Sequence, residues 1–197
     1  VEVVLKIQQN HTKFKVGIDT VHLWCNYIYL DTDERRRFAQ VSHEYLIEQW
    51  QWQQNETGQR MSLFFNHPVK ELIWCHEASR GRLIGIIQGT YKVKLNGHDR
   101  FAERDYRYFT RVQVWQHHSG PGGLSVTTGA GQFNDTIAVY SFALKPEEHQ
   151  PSGTCNFSRI DNAQLIPSAA TAAYNVYAVN YNVLRIMSGM GGLAYSN

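Results

Sequence analysis

Nine histidines are the residues whose chemistry must be weighed first, because imidazoles at the right spacing bind metals and move protons. A cupin-type enzyme needs histidines one residue apart on a strand and a nearby glutamate, all aimed inward. No H-x-H occurs. His117 and His118 are adjacent, and neighbours on a strand point to opposite faces. His43-Glu44 and His76-Glu77 share that defect, and neither extends to HExxH. Nucleophiles are no better placed. There is no G-x-S-x-G elbow and no P-loop, and the sequential pair Cys75-His76 gives no triad geometry. Gly189-Met190-Gly191-Gly192 lacks the lysine and helix of a phosphate loop, and reads as a strand terminus whose glycines permit a sharp exit. Neither an enzyme nor a bound cofactor or metal is expected.

Other polar groups carry binding rather than catalysis. Arg35-Arg36-Arg37 reads as a solvated face paired to nearby acids, with contact to nucleic acid or a neighbouring subunit as the sharper alternative. Sequons stand at Asn10, Asn55, Asn134 and Asn156. The first three are possible glycosylation sites, while Asn156 falls in an extended run that disfavours use. Trp50, Trp52 and Trp115 could stack on sugars, which makes a carbohydrate-binding, lectin-like β-sandwich the alternative function. The formal net charge of +2 is too small to predict direct nucleic-acid binding. Three cysteines, Cys25, Cys75 and Cys155, are far apart and form no CxxC, so neither a disulfide framework nor a zinc finger is supported. No apolar run approaches the ~20 residues of a membrane span.

The elements that must position these groups are strands. A chain of 197 residues, 43% hydrophobic and 13% aromatic, hides about 70% of its unfolded surface and holds a core without staples. Val1, Val3, Leu5 and Ile7 alternate with polar residues as a strand. A start on such a strand, without methionine, implies a longer chain lacking its N-terminal part; Ala194 to Asn197 reads as the C-terminus. Val21 to Leu30 is a second strand. Asp31 then caps a short helix with acids in its first turn. Phe38 to Gln53 reads as helix or strand, with a strand ending near Trp52 favoured. Met61 to Phe65, Val69 to His76, Leu83 to Ile87 and Tyr91 to Leu95 are further strands, and Asn96-Gly97 marks a tight turn. Arg100 to Gln116 holds a helical turn. His117 to Gly131 is a glycine-rich loop, and Ser168 to Ala173 a small-residue linker.

The longest uninterrupted pattern is strand, corner, strand from Ile137 to Ile160. The apolar run Ile137 to Leu144 stops at a corner with Pro146 and Pro151, which cannot donate to a ladder. Extension resumes from Cys155 to Ile160. The last strand is Tyr174 to Met187, where apolar parity changes and predicts a bulge near Val183. About eight to ten short strands without a long amphipathic helix argue an all-β sandwich or barrel and exclude a doubly wound sheet.

Phe142-Ala143-Leu144-Lys145-Pro146-Glu147-Glu148-His149-Gln150-Pro151-Ser152-Gly153, followed by Asn156-Phe157-Ser158-Arg159, resembles the signature near the end of the major capsid proteins of large icosahedral double-stranded DNA viruses. The algal and giant viruses are nearest in type, with related proteins in iridoviruses and asfarviruses. Asp31 to Gln49, His67 to Trp74, Asn96 to Phe101 with Val112 to Gly123, and Tyr181 to Asn197 are similar to the same family, in order. The resemblance implies an eight-stranded antiparallel jelly-roll sandwich with short helical turns, spanning residues 1–197 as a single domain. It would be the C-terminal jelly roll of a double-jelly-roll protein. It further implies a homotrimer whose pseudo-hexameric capsomers tile a shell in the virion, with neighbouring capsomers and minor capsid and penton proteins as partners. The contact segments it suggests contain Asp31, Arg35, Arg36 and Arg37; Arg104 and Tyr108; His117 and His118; and Glu147, Glu148 and His149.

Overall fold

The computed structural model describes residues 22–55, 60–76, 88–120, 122–123, 135–168 and 174–196. The strands expected at Val1 to Ile7 and Leu83 to Ile87, most of the glycine-rich loop and most of the small-residue linker lie outside them. The chain divides into compact units at residues 1–37 and 38–197.

In the first unit, residues 22–30 have no regular structure, which corrects the strand expected from Val21 to Leu30. Leu23, Trp24, Tyr27, Ile28 and Tyr29 are all exposed, so alternation there separates no buried face from a wet one. No strand among the described residues pairs with this run, and a strand without a ladder partner has nothing to hold it extended. Helix α1, Thr32–Gln40, follows as expected. The Asp33 N–H donates to Asp31 Oδ1 at 2.9 Å, the N-cap bond that satisfies a donor the first turn leaves open.

Every strand among the described residues belongs to the second unit. They are β1 His43–Asn55, β2 Met61–Leu63, β3 Pro68–His76, β4 Thr90–Leu95, β5 His98–Asp99, β6 Arg104–Asp105, β7 Ile137–Ser141, β8 Cys155–Asn156, β9 Ala163–Pro167, β10 Tyr174–Met187 and β11 Met190–Leu193. One sheet runs β1-β10-β3-β7 and the other β2-β9-β4-β5, with β11, β8 and β6 paired at the margins. All pairings are antiparallel. Leaving out the marginal strands, the order along the chain is 1-8-3-6 in one sheet and 2-7-4-5 in the other. Each sheet thus interleaves strands from both ends of the unit, which is a jelly roll.

Alternation places the core. Leu72 and Trp74 on β3, and Tyr174, Val176 and Ala178 on β10, meet Tyr91 and Val93 on β4 and Ala163 and Leu165 on β9. Phe109 plugs one end from a π turn, Tyr108–Val112, with its ring 5.1 Å from Trp74 and 6.1 Å from Tyr91. Helix α2, Gln113–His117, continues that turn, so the helical segment expected between Arg100 and Gln116 is present. The Tyr91 and Tyr174 hydroxyls bond each other at 2.6 Å inside the core. Burial pushes the Tyr91 phenol far above its ordinary range, so it stays a neutral donor and acceptor.

Some local expectations shift. Phe38 to Gln40 end α1 rather than begin a strand, and β1 starts at His43. Asn96 and Gly97 take φ of 50° and 81°, the left-handed pair a two-residue hairpin turn requires. Cys155 to Ile160 is extended only through Asn156. The Asn156 side chain accepts from Ser158 N–H at 3.1 Å and turns Phe157–Arg159 into a 3-10 helix. The glycines after Met187 do not end the sheet: Ser188 and Gly189, with φ of 53° and 76°, fold β11 back along β10. The bulge sits opposite Val179/Asn180 rather than near Val183, and its extra residue is Lys70 of β3, which pairs with nothing across the ladder.

Trp74→Ala removes the largest side chain of a core that cannot collapse around it. A loss of about 3–5 kcal/mol is expected from denaturant unfolding, whereas Trp115→Ala, at an 81% exposed position, stays within about 0.5 kcal/mol of the parent.

Candidate subunit-contact surface

The corner after β7 is held onto the outer face of the β3 sheet. The bulge turns Lys70 outward, yet its side chain is only 1% exposed. Its ammonium donates to Glu48 Oε1 of β1 and to the Pro146 carbonyl, each at 2.6 Å, and lies 5.1 Å from the Tyr181 ring centre. A buried ammonium must be paired, and these partners tie the corner to strands β1 and β3. The Lys70 carbonyl, left without a ladder partner, accepts from Phe142 and Ala143 N–H at 2.8 and 3.2 Å.

Helix α2 supplies the second attachment. His117 sits in its last turn and His118 is its C-cap, with φ −122° and ψ 153°. The change from helical to extended backbone brings both rings onto the corner, although neighbours on a strand would diverge. His117 Nδ1 lies 2.9 Å from the Leu144 carbonyl. His118 Nδ1 lies 3.1 Å from Glu147 Oε1, and its Nε2 lies 2.9 Å from Glu71 Oε2. The latter contact has ion-pair distance without hydrogen-bond alignment. The Glu71 carboxylate, beside the burial that opposes it, draws the His118 pKa above its ordinary value, and Glu147 adds to this. Hydrogen bonds from Ser119, then His118, hold the Glu147 carboxyl below the usual range.

Within the corner, Lys145 Nζ donates to Glu148 Oε1 at 3.0 Å, and Lys145 N–H donates to Ser152 Oγ at 2.9 Å. His149 Nδ1 lies 3.6 Å from Glu48 Oε1. Gly153 has φ 144°, and a Cβ there would lie 2.7 Å from the Phe142 carbonyl oxygen. The structure therefore gathers His117, His118, Glu147, Glu148 and His149 in one place.

The remaining expected contact residues belong to other elements. Arg104 stacks over the Tyr108 ring at 4.5 Å, and the Tyr108 hydroxyl accepts from Gln113 Nε2 at 2.8 Å. Asp31 and Arg35 to Arg37 belong to α1 and the residue before it; Arg36 pairs with Asp33 at 3.6 Å. Asn10 and Asn134 lie outside the described residues, and Asn55 closes β1.

Sequence reasoning missed Glu48, Lys70 and Glu71. The available signal was Lys70-Glu71, consecutive polar residues inside an otherwise apolar strand, which mark a bulge. It also missed Asp135, which is 1% exposed. Its carboxylate accepts from Thr110 Oγ1 at 2.6 Å and from Arg111 Nε and Nη2 at 3.0 and 2.6 Å. Gly123 packs against it with no room for a side chain. This joint fixes the helical segment to the start of β7.

The interleaved two-sheet order defines a jelly-roll protein, an architecture shared by capsid proteins, lectins and cupins. The sequence matches the family described as large eukaryotic DNA virus major capsid protein over residues 34–82 and 89–192. It is 54% identical to the major capsid protein of Pyramimonas orientalis virus, over 92% of this chain and 50% of that one. It is 40% identical to the major capsid protein of Paramecium bursaria Chlorella virus 1, over 90% and 54%. The quasi-atomic capsid structure of the latter virus superposes with a TM-score of 0.70 at 38% identity, covering 87% of this chain and 56% of that one. The Faustovirus major capsid protein, 13% identical with a TM-score of 0.57, shares the fold. The chain belongs to the large eukaryotic DNA virus major capsid protein family. It spans about half the length of the relatives it matches.

Two substitutions check these joints. Gly153→Ala forces a side chain into a left-handed position against a carbonyl and costs about 1–3 kcal/mol of unfolding free energy. For Asp135, the Arg111 guanidinium holds the carboxyl below its ordinary value. Its contribution is thus complete above the unfolded carboxyl pKa of about 3.9 and is lost as pH falls through the lower folded value. Asp135→Asn should cost on the order of 2 kcal/mol at pH 7. The gap from the parent in denaturation midpoint should narrow below about pH 4.

Proposed function

We propose that this chain is one jelly roll, the C-terminal one, of a double-jelly-roll major capsid protein. Three copies of the full-length protein form a pseudo-hexameric capsomer, and capsomers tile the icosahedral shell of the virion. Neighbouring capsomers and minor capsid and penton proteins are the further partners. Residues 1–197 act as a single structural domain within it, and the role is structural rather than enzymatic. The observation that carries the reading is the jelly-roll strand order in a chain that matches capsid proteins across most of its length. Family membership favours assembly over sugar binding as the role of the tryptophans. Trp50 and Trp52, 65% and 59% exposed on the outer face of β1, and Trp115 on α2 are aromatic anchors of the kind protein interfaces favour.

The contact surfaces we propose are α1 with Asp31, Arg35, Arg36 and Arg37; the Arg104–Tyr108 turn; and the corner with His117, His118, Glu147, Glu148 and His149. The corner is the strongest of these. Its attachments run inward to β1, β3 and α2, which leaves Glu148, Lys145 and Leu144 turned out on a backbone that is already ordered. A surface ordered before contact loses little entropy on binding.

The test is mass measurement and electron microscopy of the full-length protein. A trimer that forms shell-like arrays is expected. Trp115→Ala should raise the concentration needed for arrays by about tenfold or more without changing thermal unfolding. A protein that stays monomeric at high concentration overturns the reading.

A further inference from the structure

We propose that His118 is a protonation-dependent clasp: its imidazolium bridges Glu71 of β3 and Glu147 of the corner, and loss of the proton loosens residues 144–153 from the sheet. Two carboxylates flank one ring, an arrangement that favours its charged form. Both nitrogens lie within 3.1 Å of a carboxylate oxygen, Nε2 to Glu71 at 2.9 Å and Nδ1 to Glu147 at 3.1 Å. A neutral imidazole carries one N–H and one lone pair, so it must turn a lone pair toward one of these carboxylates. The imidazolium instead sets a positive charge between both, hydrogen-bonded to Glu147 and at ion-pair distance from Glu71.

The surroundings sharpen the dependence. The Glu71 side chain is 7% exposed, so without the imidazolium its charge faces a poorly solvated site. Glu71 Oε2 and His118 Nε2 are buried and have no hydrogen-bond partner among the described residues, so their mutual charge attraction is what offsets burial. Beside them lies an open groove of about 300 Å³ lined by Ile73, Val114, Ile137 and Val139 together with Thr110, Thr136 and Glu147. The charged groups facing the ring from each packed element are few. Strand β3 presents Glu71 and Lys70. Lys70 is committed to Glu48 of β1 and to the Pro146 carbonyl. The corner presents Glu147, with Lys145 and Glu148 paired to each other and His149 directed at Glu48. Next to His118 in sequence, His117 meets a carbonyl and Ser119 donates its N–H to Glu147. No cation in this set replaces His118 between the two carboxylates.

The sign follows. Carboxylate contacts raise the His118 pKa, so the clasp is complete below the unfolded histidine value of about 6.5 and is lost as pH rises through the higher folded value. Lys70 still holds Pro146, so the corner loosens around that point rather than leaving the sheet. The consequence for assembly rests on the corner being a contact surface, as proposed above: alkaline pH would disorder it and acid to neutral pH would preset it. The clasp itself is a property of one chain and is read without assembly.

Hydrogen exchange of the full-length protein, normalised to intrinsic rates at each pH, is the direct measurement. Protection across residues 147–152 should fall at least about fivefold between pH 6 and pH 9, in step with the His118 ring titration followed by NMR. Amides of β10 should stay protected throughout. His118→Gln should abolish the step and sit at the loosened level, whereas His149→Gln should keep it. If His118→Gln does not fold, Glu147→Gln serves instead and should shrink the step. Equal protection at both pH values, or a step that survives His118→Gln, overturns the clasp. Neither result bears on whether the protein trimerises, which microscopy reads separately.

Discussion

Backbone polar groups that no neighbouring strand can reach govern this fold. A jelly roll interleaves short strands, so its sheets end at ragged margins and its corners leave the ladder early. Each N–H and C=O stranded there must find a partner or carry a desolvation cost. Here amide side chains meet much of that demand. Gln51 of β1 both donates to the Asn66 carbonyl and accepts from its N–H, at 2.6 and 2.9 Å. Gln53 does the same with the Ser62 carbonyl and the Phe64 N–H, at 2.7 and 2.9 Å. Each glutamine thus stands in for a strand residue and laces the edge of one sheet to β2 of the other and the connection that leaves it. At the opposite edge, Gln113 accepts from Ser141 N–H at 3.0 Å. Along β10 past the end of β3, the Asn182 side chain accepts from Val183 N–H at 2.7 Å, and the Asn180 side chain donates to the Tyr181 carbonyl at 3.1 Å.

That requirement explains which parts of the fold are legible in the sequence. Strands that bury one face against the core follow the period-two rule, and β3, β4 and β10 fall close to where alternation puts them. The Asn96-Gly97 turn is legible because φ > 0 at consecutive residues is a demand few residue types meet. Asn180 and Asn182 are not legible. They share the face of Val176 and Ala178 and are buried, yet by composition they read as the wet side of the strand. Their partners, Gln49 and Gln51, lie more than a hundred residues away, so no local window reveals that the amides satisfy one another. The misplaced bulge has the same origin: a parity change on β10 is visible, but the extra residue belongs to its neighbour.

The corner proposed as a contact surface is partly legible for a different reason. The corner is recognisable from its prolines and acids, and His117-His118 from their type. Their conjunction is set by α2, whose final turn rotates His117 and whose extended C-cap redirects His118. Adjacent histidines read as a strand would face apart, and only a helix end converts them into a pair that meets the same corner. Residues 22–30 show the converse. Their alternation is as good as that of any strand, but alternation states which side chains would share a face, not whether a ladder partner exists. Without one among the described residues, the pattern has no sheet to join.

Charge burial links these points. Lys70 is forced outward by a bulge, and an ammonium placed there needs an acceptor besides Glu48. The Pro146 carbonyl supplies it at 2.6 Å. The same bulge sets Glu71 beside Lys70 on the outer face, where it would be an unpaired buried charge if α2 ended one residue earlier and left His118 out of reach. A single irregularity in β3 therefore creates both the cation that anchors the corner and the anion that recruits the histidine. The flank so formed is ordered by charges paired within one chain. What it turns outward, the Leu144 side chain and the Trp115 ring, is not consumed by holding the fold together, and that is the physical condition a surface must meet before it can bind a second copy.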